Sequence, residues 1–323
     1  MEVTPKRRLE LVTGRSHPEL AEEIASCLGV SLSETNIRGF ADGEIHCRFD
    51  TSMRGADMFI IQTHSGPVND SIMEQLIMVD AAKRASARRI TAVCPYYAYS
   101  RQDRKSTGRE PITAKLVADL FSVAGVDRVV SVDLHSGQIQ GFFDVPVDHL
   151  TAAPVLLAYL REHGPDDVVI VAPDAGRVKV AERYSQLLDT DLAFVHKRRP
   201  RGTYNQVEAM DVVGNVKGRP CVIIDDMIDT AGTVCAAAYR LVEAGATDIW
   251  AMATHALLSD PALDRLSSCP VSRVIVTNTL PLPVYRRIPK LEVLSIAKIV
   301  ADAIDAVFED TSVSEIFGGQ NLL

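Results

Sequence analysis

The sequence predicts an α/β protein of two similar halves, each a mostly parallel sheet flanked by helices. Three observations predict it. Short runs rich in β-branched residues alternate with stretches of helical apolar spacing along the whole chain. The residues that can do chemistry collect just past those runs, at 101–105, 133–135, 174–179 and 225–233, where parallel strands present their carboxyl ends. Ala124-Gly125 precedes an apolar strand and His135 by the spacing with which Ala244-Gly245 precedes another strand and His255.

A chain of 323 residues exceeds one ordinary core. The expected domains are 7–153 and 154–304, joined around Thr151-Ala152-Ala153-Pro154, with a tail at 305–323 whose packing on the first domain stays open. A hydrophobic content of 47% with 24% charged residues is that of a soluble globular protein. The balance of 34 basic and 42 acidic residues gives a net charge of −8, which argues against general nucleic-acid binding. No apolar run is long enough to span a membrane, and Lys6-Arg7-Arg8 leads into no signal-peptide core. Cys27, Cys47, Cys94, Cys221, Cys235 and Cys269 form no C-x-x-C pair and read as reduced, mostly buried thiols of a cytoplasmic protein.

In order, 9–13 reads as a strand and 17–28 as a helix with Pro18 in its first turn. Residues 36–49 alternate around Asp42-Gly43, a hairpin signal. A strand at 58–62 leads to an amphipathic helix at 69–85, whose broad face is Ile72, Met73, Leu76, Ile77 and Met78. Strand 90–94, helix 111–123 and strand 129–132 complete the first half. The second half follows with helix 155–160, strand 168–171, helix 180–188 and strand 192–195. After a polar excursion to about 208 come strand 221–224, helix 234–244, strands 249–254 and 274–277, and a last helix at 295–308.

The run from Cys221 to Val234 organises the rest. Four apolar residues end in Asp225, Asp226 and Asp229, and the small-residue turn Thr230-Ala231-Gly232-Thr233 opens the next helix. Backbone N–H groups at such a turn, with the helix N-terminus behind them, cradle a phosphate. Three carboxylates beside an anion site repel one another unless they meet hydroxyls, cations or a metal, and a sugar phosphate supplies hydroxyls and phosphate together. A capped strand-to-helix turn is the plainer alternative.

Other segments offer cations and metal ligands. His135, two residues after Asp133, ends a strand, where histidine is commonly structural but where His and carboxylate together can serve a divalent ion. Asp174, before Ala175-Gly176, is a second candidate for hydrated Mg²⁺. The segment Arg101-Gln102-Asp103-Arg104-Lys105 reads either as a solvated loop or as a grip on polyphosphate. His196-Lys197-Arg198-Arg199-Pro200-Arg201 in an acidic protein reads as a cationic lid. No G-x-x-x-x-G-K-[ST] loop occurs, so any ATP is held differently.

The central run resembles the phosphoribosyl-diphosphate (PRPP) loop of the type I phosphoribosyltransferase fold. Phe40-Ala41-Asp42-Gly43-Glu44, Tyr99-Ser100-Arg101-Gln102-Asp103, Asp133-Leu134-His135-Ser136-Gly137, Pro173-Asp174-Ala175-Gly176 and Val276-Thr277-Asn278-Thr279 extend the resemblance over nearly the whole chain. Together they resemble the ribose-phosphate pyrophosphokinase family. That resemblance implies transfer of the β,γ-diphosphate of MgATP to O1 of ribose 5-phosphate. It implies ribose contacts from Asp225, Asp226 and Asp229, and a 5-phosphate cradle from Thr230, Ala231, Gly232 and Thr233. His135 and Asp174 would serve Mg²⁺, and Lys197 and Arg199, with His135, would act on the transferring group. Arg101, Gln102 and Asp103 would line the ATP site, with Phe40, Asp42 and Glu44 from a neighbouring subunit of a homo-oligomer, a hexamer of dimers. Ser52, Arg54, Arg109, Ser136, Ser312 and Ser314 match a regulatory site at which inorganic phosphate activates. Arg104, the basic run 198–205 and the proline-rich 280–289 depart from the family pattern.

Three rivals stand beside this reading: a phosphoribosyltransferase that consumes PRPP, a non-catalytic regulatory member of the same family, and an RNA-binding protein using the 197–201 cluster. The first needs neither Arg101-Gln102 nor a second similar domain. The second tends to lose lid or metal residues, which are present here. The third conflicts with the acidic charge.

Overall fold

The computed structural model describes residues 7–198 and 209–317. The chain divides into two compact units. Unit 1 takes the chain through Thr151, Thr279–Pro281 and the stretch from Ile296, and unit 2 takes Ala152–Asn278 and Leu282–Ser295. The sequence reading ran the second domain to residue 304. By packing, the chain has already crossed back before the last helix.

Unit 1 runs β1 (Leu9–Thr13), α1 (Pro18–Leu28), β2 (Thr35–Gly39), β3 (Ile45–Phe49), β4 (Asp57–Ile61), α2 (Val68–Arg84), β5 (Arg89–Cys94), α3 (Thr113–Ala124), β6 (Arg128–Val132) and β7 (Val147–Leu150). Its sheet has the order β1-β4-β5-β6-β7, parallel throughout, and β2 with β3 forms a separate antiparallel hairpin. Strands covered on both faces need continuous apolar runs, and every residue of β4 is buried. Phe59, Ile60, Met78 and Phe121 are among its fully buried side chains, each worth roughly 1.5–3 kcal/mol of transfer free energy. Gly125 stops α3 with φ 113°, a conformation an L side chain resists.

The face that α2 buries differs from the apolar stripe expected. Met73 is 52% exposed, while Glu74 and Gln75 are buried. Hydrogen bonding decides it. Glu74 receives the N–H and Nε of Arg15, both at 2.6 Å, and Gln75 Nε2 donates to the carbonyl of Ile60 at 3.0 Å. Cys27 is exposed, contrary to the general expectation for the thiols, and Cys94, Cys221, Cys235 and Cys269 are buried.

Unit 2 runs α4 (Ala153–His163), β8 (Val169–Ala172), α5 (Val178–Leu188), β9 (Asp191–Arg198), β10 (Ala209–Val213), β11 (Cys221–Ile228), α6 (Gly232–Glu243), β12 (Ile249–Ala256), α7 (Ala262–Ser268), β13 (Arg273–Thr277) and β14 (Leu291–Leu294). The sheet order is β10-β9-β8-β11-β12-β13-β14, with only β10 antiparallel to its neighbour. Val171, Ile223, Leu241, Ala251 and Val274 lie in its core. The chain then returns to unit 1 as α8 (Ala297–Phe308), which packs on α1. Among the described residues no helix is long and apolar enough to cross a membrane.

The echo between the halves holds in spacing and differs in use. His255 lies inside β12, opposite Met227, and is 1% exposed. His135 lies past the end of β6 and is half-buried.

Candidate active site

In the sheet of unit 2 the chain order reverses between β8 and β11. To one side lie β9 and β10, to the other β12, β13 and β14. Such a switch point opens a crevice beyond the carboxyl ends of the two central strands. Pairing between them stops at Ile223 opposite Val171, while β11 continues along β12 to Ile228. The strand is therefore longer than its apolar run, and Asp225 and Asp226 lie on it, with Asp229 just beyond.

The turn that follows brings small residues to the N-terminus of α6. Ala231 takes φ 59° at the N-cap of α6, and the exposed Thr230 and Thr233 flank Gly232. Arg265, on α7, donates from Nη1 to the carbonyl of Thr230 at 3.0 Å, turning that oxygen toward the guanidinium. A Cβ on Gly232 would stand 3.4 Å from the same nitrogen.

Across the switch, Asp174 follows β8, and its Oδ1 accepts from the N–H of Gly176 at 2.8 Å. That bond bends the chain through a 3₁₀ turn, Ala175–Arg177, into α5. Arg177 then reaches the acids of β11, with Nε 3.1 Å from Asp225 Oδ1 and Nη2 2.7 Å from Asp226 Oδ1. Burial pushes the Asp225 carboxyl well above its ordinary range. The charge and hydrogen bond of Asp226 add to that, and the Arg177 guanidinium opposes it.

Unit 1 carries most of the other expected residues. Phe40, Asp42 and Glu44 form the tip of the β2–β3 hairpin, where Phe40 is 48% exposed and Asp42 Oδ1 accepts from the N–H of Glu44 at 3.1 Å. Arg101, Gln102 and Asp103 follow β5. Gln102 accepts from Thr113 Oγ1 at 2.5 Å, and its carbonyl accepts from the N–H of Ala114 at 3.2 Å, tying the loop to the start of α3. His135 and Ser136 follow β6; in the same loop the N–H of Leu134 donates to His149 Nε2 at 2.8 Å. Ser312 and Ser314 share a 2.7 Å hydroxyl contact, and Arg8 donates to the carbonyl of Ser52. Arg54 and Arg109 are exposed. Lys197 sits on β9 opposite Met210, and its side chain, with Arg199, lies outside the described residues.

The structure thus gathers Asp174, Asp225, Asp226, Asp229 and the 230–233 turn at one crevice of unit 2. Arg177 and Arg265 belong to that crevice and had no motif to announce them. Their contacts join segments remote in sequence, and a lone arginine after a glycine, or in a short helix, reads as surface.

A site of this make, with acids and an anion cradle at the switch of a two-unit α/β chain, is that of a sugar-phosphate-binding protein. Residues 9–125 match the family model for the N-terminal domain of ribose phosphate pyrophosphokinase, and residues 198–318 match the phosphoribosyl synthetase-associated domain. A ribose-phosphate pyrophosphokinase of Streptomyces avermitilis is 53% identical over 99% of this chain and 99% of its own length. One from Bifidobacterium longum is 54% identical over 98% and 94%. The crystal structure of phosphoribosylpyrophosphate synthetase from Mycobacterium smegmatis superposes with a TM-score of 0.89 at 53% identity, covering 94% of this chain and 99% of that one. The chain belongs to the ribose-phosphate pyrophosphokinase family.

Proposed function

We propose that the chain is a catalytic ribose-phosphate diphosphokinase. The O1 hydroxyl oxygen of ribose 5-phosphate attacks the β-phosphorus of ATP, the bond from that phosphorus to the α,β-bridging oxygen breaks, and AMP leaves as PRPP forms. The crevice of unit 2 supports this reading most directly. It sets carboxylates, which accept from sugar hydroxyls, beside a turn of backbone donors at a helix N-terminus, which accepts a phosphate.

In this reading Asp225, Asp226 and Asp229 hold the ribose hydroxyls, and 230–233 hold the 5-phosphate. Arg101, Gln102 and Asp103 hold ATP, with Phe40, Asp42 and Glu44 contributed by a second copy. Lys197, Arg199 and His135 stabilise charge on the transferring group. A loose phosphoryl transition state asks for positioning and electrostatics more than for covalent help.

Magnesium belongs to the same proposal. Among the described residues no three His, Cys, Asp or Glu side chains gather as a protein cage. The fit is that of an ion carried in on its nucleotide, since Mg²⁺ takes one or two protein ligands beside substrate phosphates. Asp174, half-buried with only Oδ1 committed to Gly176, offers such a carboxylate, and His135 is the other residue assigned. The ion would neutralise phosphate oxygens as the diphosphate transfers.

A homo-oligomer, in the form of a hexamer of dimers, is also proposed. An apolar row along α3, Ile112, Leu116, Leu120 and Val123, is 38–80% exposed at helical spacing, and Met73 of α2 is exposed as well. Rows of this kind mark association surfaces. Ser52, Arg54, Arg109, Ser136, Ser312 and Ser314 would bind the activating phosphate, and a cytoplasmic location completes the reading.

The test is a ³¹P NMR time course with ATP, Mg²⁺ and ribose 5-phosphate, with and without inorganic phosphate. AMP appearing with a C1-diphosphate signal is the expected result, and its dependence on phosphate reads out activation. Binding of ribose 5-phosphate without turnover in either condition would leave the chain a regulatory member of the family.

A further inference from the structure

Residues 225 and 226 are consecutive on one strand, so their side chains should leave it on opposite faces. One guanidinium nevertheless meets both. It can do so because β8 stops pairing four residues before Met227, leaving the β8-side edge of β11 open where the two acids stand. Arg177 occupies that edge. Its side chain is 13% exposed, as is that of Asp225, and Asp226 is 8% exposed, so the three charged groups are largely shielded from water. The contact is a fork: Nε serves one carboxylate and Nη2 the other. Only a planar guanidinium offers two donors at that spacing; an ammonium is a single point.

We propose that Arg177 is a positioning residue for the sugar, holding the carboxylates of Asp225 and Asp226 as one aligned acceptor pair for the ribose hydroxyls. The inference rests on reading residues 225–233 as the sugar-phosphate cradle. Two like charges this close and this buried do not keep a fixed arrangement unaided. Without the fork they would turn apart, and a carboxyl turned away offers the sugar no acceptor. Arg177 sits three residues beyond Asp174 on the same turn. The 3₁₀ turn that presents Asp174 on one side of the crevice therefore also sets the acids on the other. The role is one of discrimination. An acceptor pair held in place recognises a vicinal diol, and a loose pair recognises little more than a phosphate on a carbon chain.

The experiment measures equilibrium binding of ribose 5-phosphate and of 2-deoxyribose 5-phosphate to the full chain, together with steady-state kinetics. It uses the unsubstituted protein, Arg177→Met, Arg177→Lys and Asp225→Asn. In Arg177→Met the affinity for ribose 5-phosphate should fall about tenfold. Affinity for the deoxy sugar should stay within about twofold, and kcat at saturating sugar within about threefold, so that discrimination collapses through KM. Arg177→Lys, which keeps the charge without the fork, should lie between and decides the matter if the methionine variant does not fold. Equal loss toward both sugars and ATP, or unchanged discrimination in both Arg177 variants while Asp225→Asn loses it, would overturn the role of Arg177 alone. If Asp225→Asn also leaves ribose 5-phosphate binding unchanged, the cradle reading falls with it.

Discussion

The imidazole of His64 is locked between two partners, its Nδ1 accepting from the N–H of Ala98 at 3.1 Å and its Nε2 2.9 Å from Oε1 of Gln75. Those partners define a neutral ring with its proton on Nε2. The ring is fully buried and stacks on Phe121 at a centroid distance of 5.8 Å. Burial pushes its pKa down from 6.5 to about 4, against the hydrogen bond to Gln75. The folded protein therefore resists a proton that the unfolded chain accepts. The stabilisation is complete above pH 6.5 and is lost as the pH falls toward 4, on the order of 3 kcal/mol in all. Urea midpoints across that window should drop steeply in the unsubstituted protein and less in His64→Gln. Parallel curves would remove His64 as the cause.

Asp57, at the start of β4, is 1% exposed and is gripped by Arg88, with Arg89 Nη2 at 3.0 Å. Burial alone would raise its pKa, and the two guanidinia together hold it below the carboxylate range. Asp57→Asn should destabilise the protein by roughly 2–3 kcal/mol, since the arginines lose their shared acceptor. The loss should shrink as pH falls through the depressed pKa, where the native carboxylate is itself protonated. Denaturant melts at neutral and acid pH check both.

Asp229→Ala should weaken ribose 5-phosphate about ten- to a hundredfold while ATP affinity stays within twofold, as expected for loss of a charged acceptor. Lys197→Ala should lower kcat strongly with substrate binding largely intact. Equal loss of both substrates in the first variant, or an unchanged kcat in the second, would contradict the roles proposed.

Arg265→Ala removes the donor that turns the Thr230 carbonyl aside. If the 230–233 turn holds the 5-phosphate as proposed, the freed oxygen repels it, and affinity for ribose 5-phosphate should fall about tenfold. Stability should change little, because the guanidinium is exposed. Calorimetric titration with ribose 5-phosphate, beside a thermal melt, separates the two effects.

Leu116→Glu puts a charge at the centre of the exposed row on α3. If that row is an association surface, the particle mass by light scattering should drop, with circular dichroism unchanged. An unaltered mass would move the interface elsewhere.

The apolar runs made most strands legible, and the small residues Thr230–Thr233 made the turn into α6 legible. The end of β11 was not legible, because Asp225 and Asp226 look like a strand's end until β12 is seen to carry the pairing on to Ile228. Strands β7 and β14, Val-Asp-His-Leu and Leu-Glu-Val-Leu, are four-residue runs too short for a period to emerge. Hydrophobic spacing misjudged α2 because Glu74 and Gln75 are buried through hydrogen bonds that pair them with Arg15 and with β4. Arg177 carried no local signal. Its meaning exists only once β8 and β11 become neighbours.

The crossing back of the chain at residue 296 makes unit 2 an insert within unit 1, tethered at both of its ends. A gene truncated after residue 151 would encode a first unit lacking α8, the helix that packs on α1, and would leave Leu20, Ala21 and Ile24 of α1 without that cover. A split between the halves therefore has to be made by excision and rejoining. The two units can be told apart as folded bodies, but translation cannot finish the first until it has made the second.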